Sequence, residues 1–250
     1  SGVNSINWAR ILVQIIYFFS AFYQLKDLSA GKLSFSVPTG NFGDAYAGYI
    51  SKRMGLPINK IIVATNKNDI LDRVFKTGVY KSESVSKTLS PSMDIQVASN
   101  FERLLFDIVN NDTKEVRKLM NNLSGKGHFN LEKRILTRIS EDFDSGAVTD
   151  NDTIAIINHF YNEREIVLCP HSAIGVRVAK DFIDTGETVV SLGTAHPAKF
   201  KETVERALEV SIPIPPALGG IMEKQESVRV IPPNKHKVAE EIRKSFLEEN

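Results

Sequence analysis

Short apolar runs alternate with longer amphipathic ones along much of the chain. Ser5 to Tyr23 is apolar on nearly every side, which predicts a helix buried between layers. Leu33-Ser-Phe-Ser-Val37 repeats with a period of two and predicts a strand, closed by Pro38. Gly40 to Asp44 reads as a turn, and Ala45 to Met54 as a helix stopped by Gly55 and Pro57. Lys60 to Thr65 predicts a second strand. A helix then runs from Asn68 or Asp69 to Lys76, closed by Gly78.

The pattern changes after that. Tyr80 to Pro91 is rich in Ser, Thr and Lys and reads as a loop. Helices follow at Asn100–Asn110 and Thr113–Asn122. Beyond a break at Ser124–Gly127, two more follow at Leu131–Ile139 and Asp152–Tyr161. Alternation resumes with a strand at Ile166–Leu168, a helix at Ser172–Phe182, a strand at Thr188–Leu192 and a helix from Pro197 to Leu208. Strands alternating with helices predict an α/β fold with a parallel sheet flanked by helices. The expectation is one domain over 1–250, with a helical insertion at about 99–162. A proline-punctuated tail ends in an amphipathic helix near Lys237–Glu248.

Composition narrows the function classes. Hydrophobic residues make up 42% and charged residues 24%, the balance of a globular chain. The net charge of +1 gives no nucleic-acid footprint. Cys169 is the single cysteine, so no internal disulfide and no Cys-based zinc spacing exists. A reducing, cytoplasmic setting is expected. The most apolar stretch, Ile11 to Tyr23, is shorter than the ~20 residues a membrane span needs, so no membrane partner is expected.

The sharpest chemical feature is Pro38-Thr-Gly-Asn-Phe-Gly-Asp44, between a strand and a helix. Two glycines three apart allow a tight turn that gathers backbone N–H groups, and the helix start adds free donors and a positive dipole end. That is a seat for an anion, phosphate above all. Each hydrogen bond to a charged oxygen contributes roughly 1.5–3 kcal/mol. The Gly-x-x-Gly spacing is neither a P-loop nor a dinucleotide fingerprint. A carboxylate aimed at a phosphate would repel it. Asp44 is therefore expected to turn away and cap the helix, or to hold a substrate amine. An ordinary strand-turn-helix corner remains the alternative. Thr194, in Ser191-Leu-Gly-Thr-Ala-His-Pro197, stands at the end of a strand, where open α/β sheets bind ligands, or serves as a helix cap. Cys169 reads as a small buried hydrophobe rather than a nucleophile, and His171 and Ser172 as cap or ligand groups. Asn7 and Arg10 are neighbours on one helix face, suited to an anion or to pairing with an acidic residue.

These segments, taken in order, resemble threonine synthase of the fungal and proteobacterial type. Asn4-Ser-Ile-Asn-Trp-Ala-Arg10, Pro38–Asp44, Ala64-Thr-Asn66 with Asn68-Asp69, Pro91-Ser-Met-Asp-Ile95, Ser99-Asn-Phe-Glu-Arg103 and Gly193-Thr-Ala-His-Pro197 carry the likeness, from about residue 3 to about 210. The resemblance implies a fold-type II, tryptophan-synthase-β-like pyridoxal 5′-phosphate enzyme. Its reaction converts O-phosphohomoserine and water to threonine and phosphate. By the same resemblance Gly40, Asn41, Phe42, Gly43 and Asp44 hold the cofactor phosphate, Thr194 meets the pyridine nitrogen, and Asn7 and Arg10 meet the small-molecule substrate. The family's Schiff-base lysine lies in a Ser-Phe-Lys-Asp-like motif ahead of the Asn-Ser-Ile-Asn-Trp segment. No lysine here has that context, so the chain reads as a carboxyl-terminal portion without a catalytic residue of its own. Another fold-type II phospho-lyase and a non-catalytic anion-binding module are the competing readings.

Overall fold

The computed structural model describes residues 6–28, 33–183, 188–221, 224–226 and 228–248, with side chains to 245. Helix α1 (Trp8–Leu25) leads into strand β1 (Leu33–Pro38), α2 (Gly43–Arg53), β2 (Ile58–Thr65) and α3 (Ile70–Thr77). Next come β3 (Val79–Lys81), α4 (Phe101–Ile108), α5 (Thr113–Lys126), β4 (His128–Asn130), α6 (Lys133–Asp142) and β5 (Phe143–Ala147). The chain continues through α7 (Asp150–Arg164), α8 (Pro170–Ile183), β6 (Val189–Ser191), α9 (Lys201–Leu208) and α10 (Lys235–Glu248).

The main sheet has the order β5-β2-β1-β6, and every pairing in it is parallel. Leu33, Phe35 and Val37 of β1 face the large core beneath α1 and α2. Ser34 and Ser36 are buried as well, because α8 covers the opposite face. Ser36 Oγ donates to the carbonyl of Gly175 at 2.7 Å, and a Cβ at Gly175 would lie 2.8 Å from both Pro38 Cγ and Ser191 Oγ. Glycine there lets α8 lie close against the strand ends. Ile62 and Ala64 of β2 pack with Ile174 and Val178 on that α8 side.

Four sequence expectations change. Ile166–Leu168 forms no strand; Val167 and Leu168 instead pack against the cluster of Ile157, Val204 and Leu208 between α7 and α9. The stretch at 99–162 is not a purely helical insertion, because β5 lies within it and extends the main sheet beside β2, and β4 pairs antiparallel with β3. Helix α5 runs through Gly125 and stops only at Gly127, whose φ is +74°. Helix α1 is buried on one face only: Ile11, Ile15, Phe18 and Phe22 point inward, whereas Leu12, Val13, Ile16 and Tyr17 are exposed. The chain divides into two compact units, Ser1–Ile212 and Pro213–Asn250. The second unit carries α10. Among the described residues no helix is long and apolar enough to cross a membrane, and no metal-binding cluster of His, Cys, Asp or Glu forms.

Candidate functional site

The turn from β1 to α2 is built around Phe42. Its φ is +64°, in the left-handed region that non-glycine residues seldom enter, and neither Gly40 nor Gly43 has positive φ. Burial explains the exception. The Phe42 ring is 1% exposed and packs edge-on to Phe75 and Phe101, at centroid distances of 6.1 and 5.7 Å, with Phe143 at 5.7 Å. Anchoring the ring in the core fixes the backbone reversal. Phe42 is also the N-cap of α2 and supplies no side-chain acceptor. The amides of Gly43, Asp44 and Ala45 therefore open the helix as donors without intrahelical acceptors. Loop residue Asn41 is tied down by its carbonyl, which accepts from Asn100 N at 3.2 Å and Asn100 Nδ2 at 2.9 Å.

A cavity of about 350 Å³ lies over this turn, walled by the 38–44 loop, Arg10 and Gln14 of α1, Ser92 and Met93, His171 of α8, and the 194–200 segment. Gly40 is where two walls meet, because a Cβ there would lie 2.7 Å from the Ser92 carbonyl oxygen. The 88–94 segment is held at that distance by Asp94. Its carboxylate accepts from Thr88 Oγ1 (2.6 Å), Thr88 N (2.9 Å), Asn66 Nδ2 (2.8 Å) and Asn68 Nδ2 (3.0 Å). Asn66 and Asn68 follow β2, so this network fastens the wall to the sheet.

His171 is buried, and its Nε2 accepts from Ser92 N at 3.2 Å. The accepting nitrogen carries no proton, which puts the neutral ring's hydrogen on Nδ1. Burial, with Lys199 nearby, holds the His171 pKa down to about 4. Phe200 lies against the ring, 4.5 Å between centroids. Asp44 behaves oppositely: burial pushes its carboxyl up to about 6, against the lowering influence of Arg10 and a hydrogen bond from Gln14.

The expected site residues fall as follows. Gly40, Asn41, Phe42, Gly43, Asp44, Thr194 and Arg10 all line the cavity. Phe42 contributes backbone only, its ring being in the core. Asp44 is among the lining residues but does not cap α2; its carboxyl meets Gln14 of α1, with Oδ1 buried and without a hydrogen-bond partner. Thr194 is exposed, and its amide donates to Ser172 Oγ at 3.3 Å. Asn7 is not among the lining residues; it caps α1, its Oδ1 accepting from Ala9 N at 3.0 Å. Cys169 is a buried free thiol, 3.2 Å from Ser172 Oγ. Gln14, Ser92 and Lys199 are wall residues that the sequence reading did not single out. Ser92 lay within the quoted Pro91–Ile95 motif, whereas Gln14 and Lys199 had no local signal.

Comparison with known proteins agrees with this arrangement. The family model described as threonine synthase, C-terminal, matches residues 172–242. The threonine synthase of Pseudomonas aeruginosa is 46% identical over 233 residues, which cover 92% of this chain and 50% of that protein. The chain belongs to the threonine synthase family. The Saccharomyces cerevisiae threonine synthase is 45% identical over 227 residues, covering 83% of this chain and 44% of its own length. In three dimensions, the crystal structure of PLP-bound threonine synthase from Brucella melitensis matches with a TM-score of 0.89 at 45% identity, covering 98% of this chain and 52% of that one. The parallel α/β architecture of a fold-type II pyridoxal enzyme is thus the one observed. The chain spans about half the length of the curated threonine synthases it matches.

Proposed function

We propose that this chain supplies the cofactor-phosphate half of a pyridoxal 5′-phosphate-dependent threonine synthase. The whole protein would convert O-phosphohomoserine and water to threonine and phosphate. The observation that carries the reading is the α2 start. It opens on the cavity as a turn of uncapped amides, in a chain whose sequence is 46% identical to a threonine synthase. The donor set fits a phosphate group: first-turn N–H groups, with Arg10 and Lys199 on the walls.

In this reading the backbone of Gly40–Asp44 holds the cofactor phosphate, and the Thr194 hydroxyl meets the pyridine nitrogen. Bound pyridoxal phosphate supplies an electron sink for bond cleavage beside the substrate's amino group. A threonine hydroxyl, unlike a carboxylate, does not force protonation of that nitrogen, which favours elimination over transamination. Arg10 offers a planar guanidinium to the substrate's phosphate or carboxylate, and Asn7 stands at the head of the same helix. The neutral His171 and the Phe200 ring close one side against water. The Schiff-base lysine comes from outside these 250 residues, because none of the chain's lysines has the family context. A reducing cytoplasmic setting belongs to the same reading, supported by the buried free thiol of Cys169.

The test is the whole protein given O-phosphohomoserine, with threonine and phosphate expected in equal amounts. Formation of 2-oxobutyrate instead would identify a phospho-lyase, and no phosphate release would end the reading. Borohydride treatment of the 250-residue chain with pyridoxal phosphate should label no single lysine stoichiometrically. Stoichiometric labelling of Lys199 would place the lysine within this chain.

A further inference from the structure

Thr194 stands on a stretch of backbone that few contacts hold. It follows β6, an edge strand of the main sheet, and Leu192 N still donates to the Ser36 carbonyl of β1 at 2.9 Å. Beyond that the chain is open: a Cβ at Gly193 would meet nothing within 4 Å, and Thr194 is exposed. Among the described residues, one hydrogen bond ties residues 193–195 to another segment, from Thr194 N to Ser172 Oγ at 3.3 Å. Ser172 lies in the first turn of α8. It is buried and does not line the cavity. Its hydroxyl has a second neighbour, the buried thiol of Cys169, at 3.2 Å from Oγ, and that sulfur also accepts from Ser172 N at 3.4 Å. An O–H is a stronger donor than an S–H, and leaving it unpaired in a buried place costs more. The hydroxyl hydrogen is therefore directed at Sγ, which leaves the oxygen lone pairs for Thr194 N.

We propose that Ser172 is a positioning residue. Its hydroxyl, oriented by the Cys169 thiol, fixes the Thr194 backbone and so sets where the Thr194 side chain stands over the cavity. The proposal rests on the reading that Thr194 meets the pyridine nitrogen of a cofactor whose phosphate sits on the 40–44 turn, and it adds the group that stands behind Thr194. The Thr194 hydroxyl itself makes no hydrogen bond among the described residues, so it is open to a ligand while its backbone is held. A ring anchored by its phosphate presents its nitrogen at a fixed place, and a hydrogen bond weakens steeply with displacement. An unanchored 193–195 stretch would carry the hydroxyl in and out of reach.

Hydrogen exchange at single amides in the 250-residue chain tests the anchor. After correction for intrinsic rates, the Thr194 amide should exchange about tenfold more slowly than those of Gly193 and Ala195, and Ser172→Ala should abolish the difference. Equal exchange in the unmodified chain would overturn the proposal without any variant. Titration calorimetry with sulfate separates the anchor from the anion seat. Ser172→Ala should bind sulfate as the unmodified chain does, within about twofold, because the seat is made of backbone groups of the 40–44 turn. Loss of sulfate binding in the variant alone would make Ser172 part of the fold and overturn its positioning role. Absence of sulfate binding in the unmodified chain would overturn the seat itself, and the proposal with it. In the whole protein the readout is cofactor affinity. Ser172→Ala and Thr194→Ala should each weaken pyridoxal phosphate binding about fivefold, and the double variant should bind no more weakly than either. A double variant weakened about 25-fold, or unchanged affinity in Ser172→Ala, would show that Ser172 does not act through Thr194 and would overturn the proposal.

Discussion

At the scale of single residues, the site depends on side chains that turn away from it as much as on those that face it. Phe42 shapes the anion turn by burying its ring, and its positive φ persists because the aromatic core over-determines it. His171 and Asp44 are held in opposite directions by the same burial. His171 titrates near 4 when folded against 6.5 unfolded, so its neutral form contributes stability that is fully present above about pH 6.5 and is lost as pH falls toward 4. Asp44 titrates near 6 when folded against 3.8 unfolded, so its burial costs stability above pH 6 and the cost disappears as pH falls toward 4. The two nearly cancel in the native chain. Replacing His171 by Gln, which keeps an acceptor for Ser92 N, should unmask this balance. Urea unfolding of His171→Gln compared with the native chain should shift in the variant's favour by up to about 3 kcal/mol between pH 7 and pH 4. A difference that stays constant with pH would show that His171 is not held neutral.

Elements meet where small residues let them. Helix α8 reaches β1 and β6 through Gly175, and β5 lies under the same helix where a Cβ at Gly146 would be 2.8 Å from Val178 Cγ1. Gly175→Ala forces a methyl against Pro38 and Ser191, the floor beneath the anion turn. It should destabilise the fold by about 1–3 kcal/mol in urea unfolding and weaken sulfate binding in step, because Pro38 begins the cavity wall. Unchanged stability would mean that α8 can shift outward without cost. Helix α7 shows how little of an end need be tertiary. Thr149 accepts from Asp152 N at 3.2 Å and Asp152 Oδ2 accepts from Thr149 N at 3.4 Å, a reciprocal cap set within four residues.

For the whole molecule, every residue that lines the cavity falls within the Ser1–Ile212 unit. A chain ending at Ile212 should therefore unfold cooperatively and bind sulfate as the 250-residue chain does, within about twofold, by the same calorimetry. Loss of binding would make Pro213–Asn250 part of the site. The sheet order β5-β2-β1-β6 brings together residues as far apart as Arg10 and Phe200, and the turn at the end of the central strand β1 becomes the cavity floor.

Strand β1, the turn that follows it, the helices with clear caps and periodicity, and the family are all legible in the residues alone, because each is written in contiguous stretches. The Leu-Ser-Phe-Ser-Val alternation and the Gly-x-x-Gly turn need no distant partner to be read. That Phe143-Asp-Ser-Gly-Ala is a strand and Ile166-Val-Leu is not follows from long-range packing. The first has weak strand character but lies in register beside β2, and the second is apolar but has no strand to pair with. Likewise, no local pattern foretold that Gln14, Ser92 and Lys199 would share the cavity's walls. Burial, which pushes the Asp44 carboxyl up and leaves an oxygen of Asp44 and one of Gln14 without partners, is a property of packing between segments and not of any one of them.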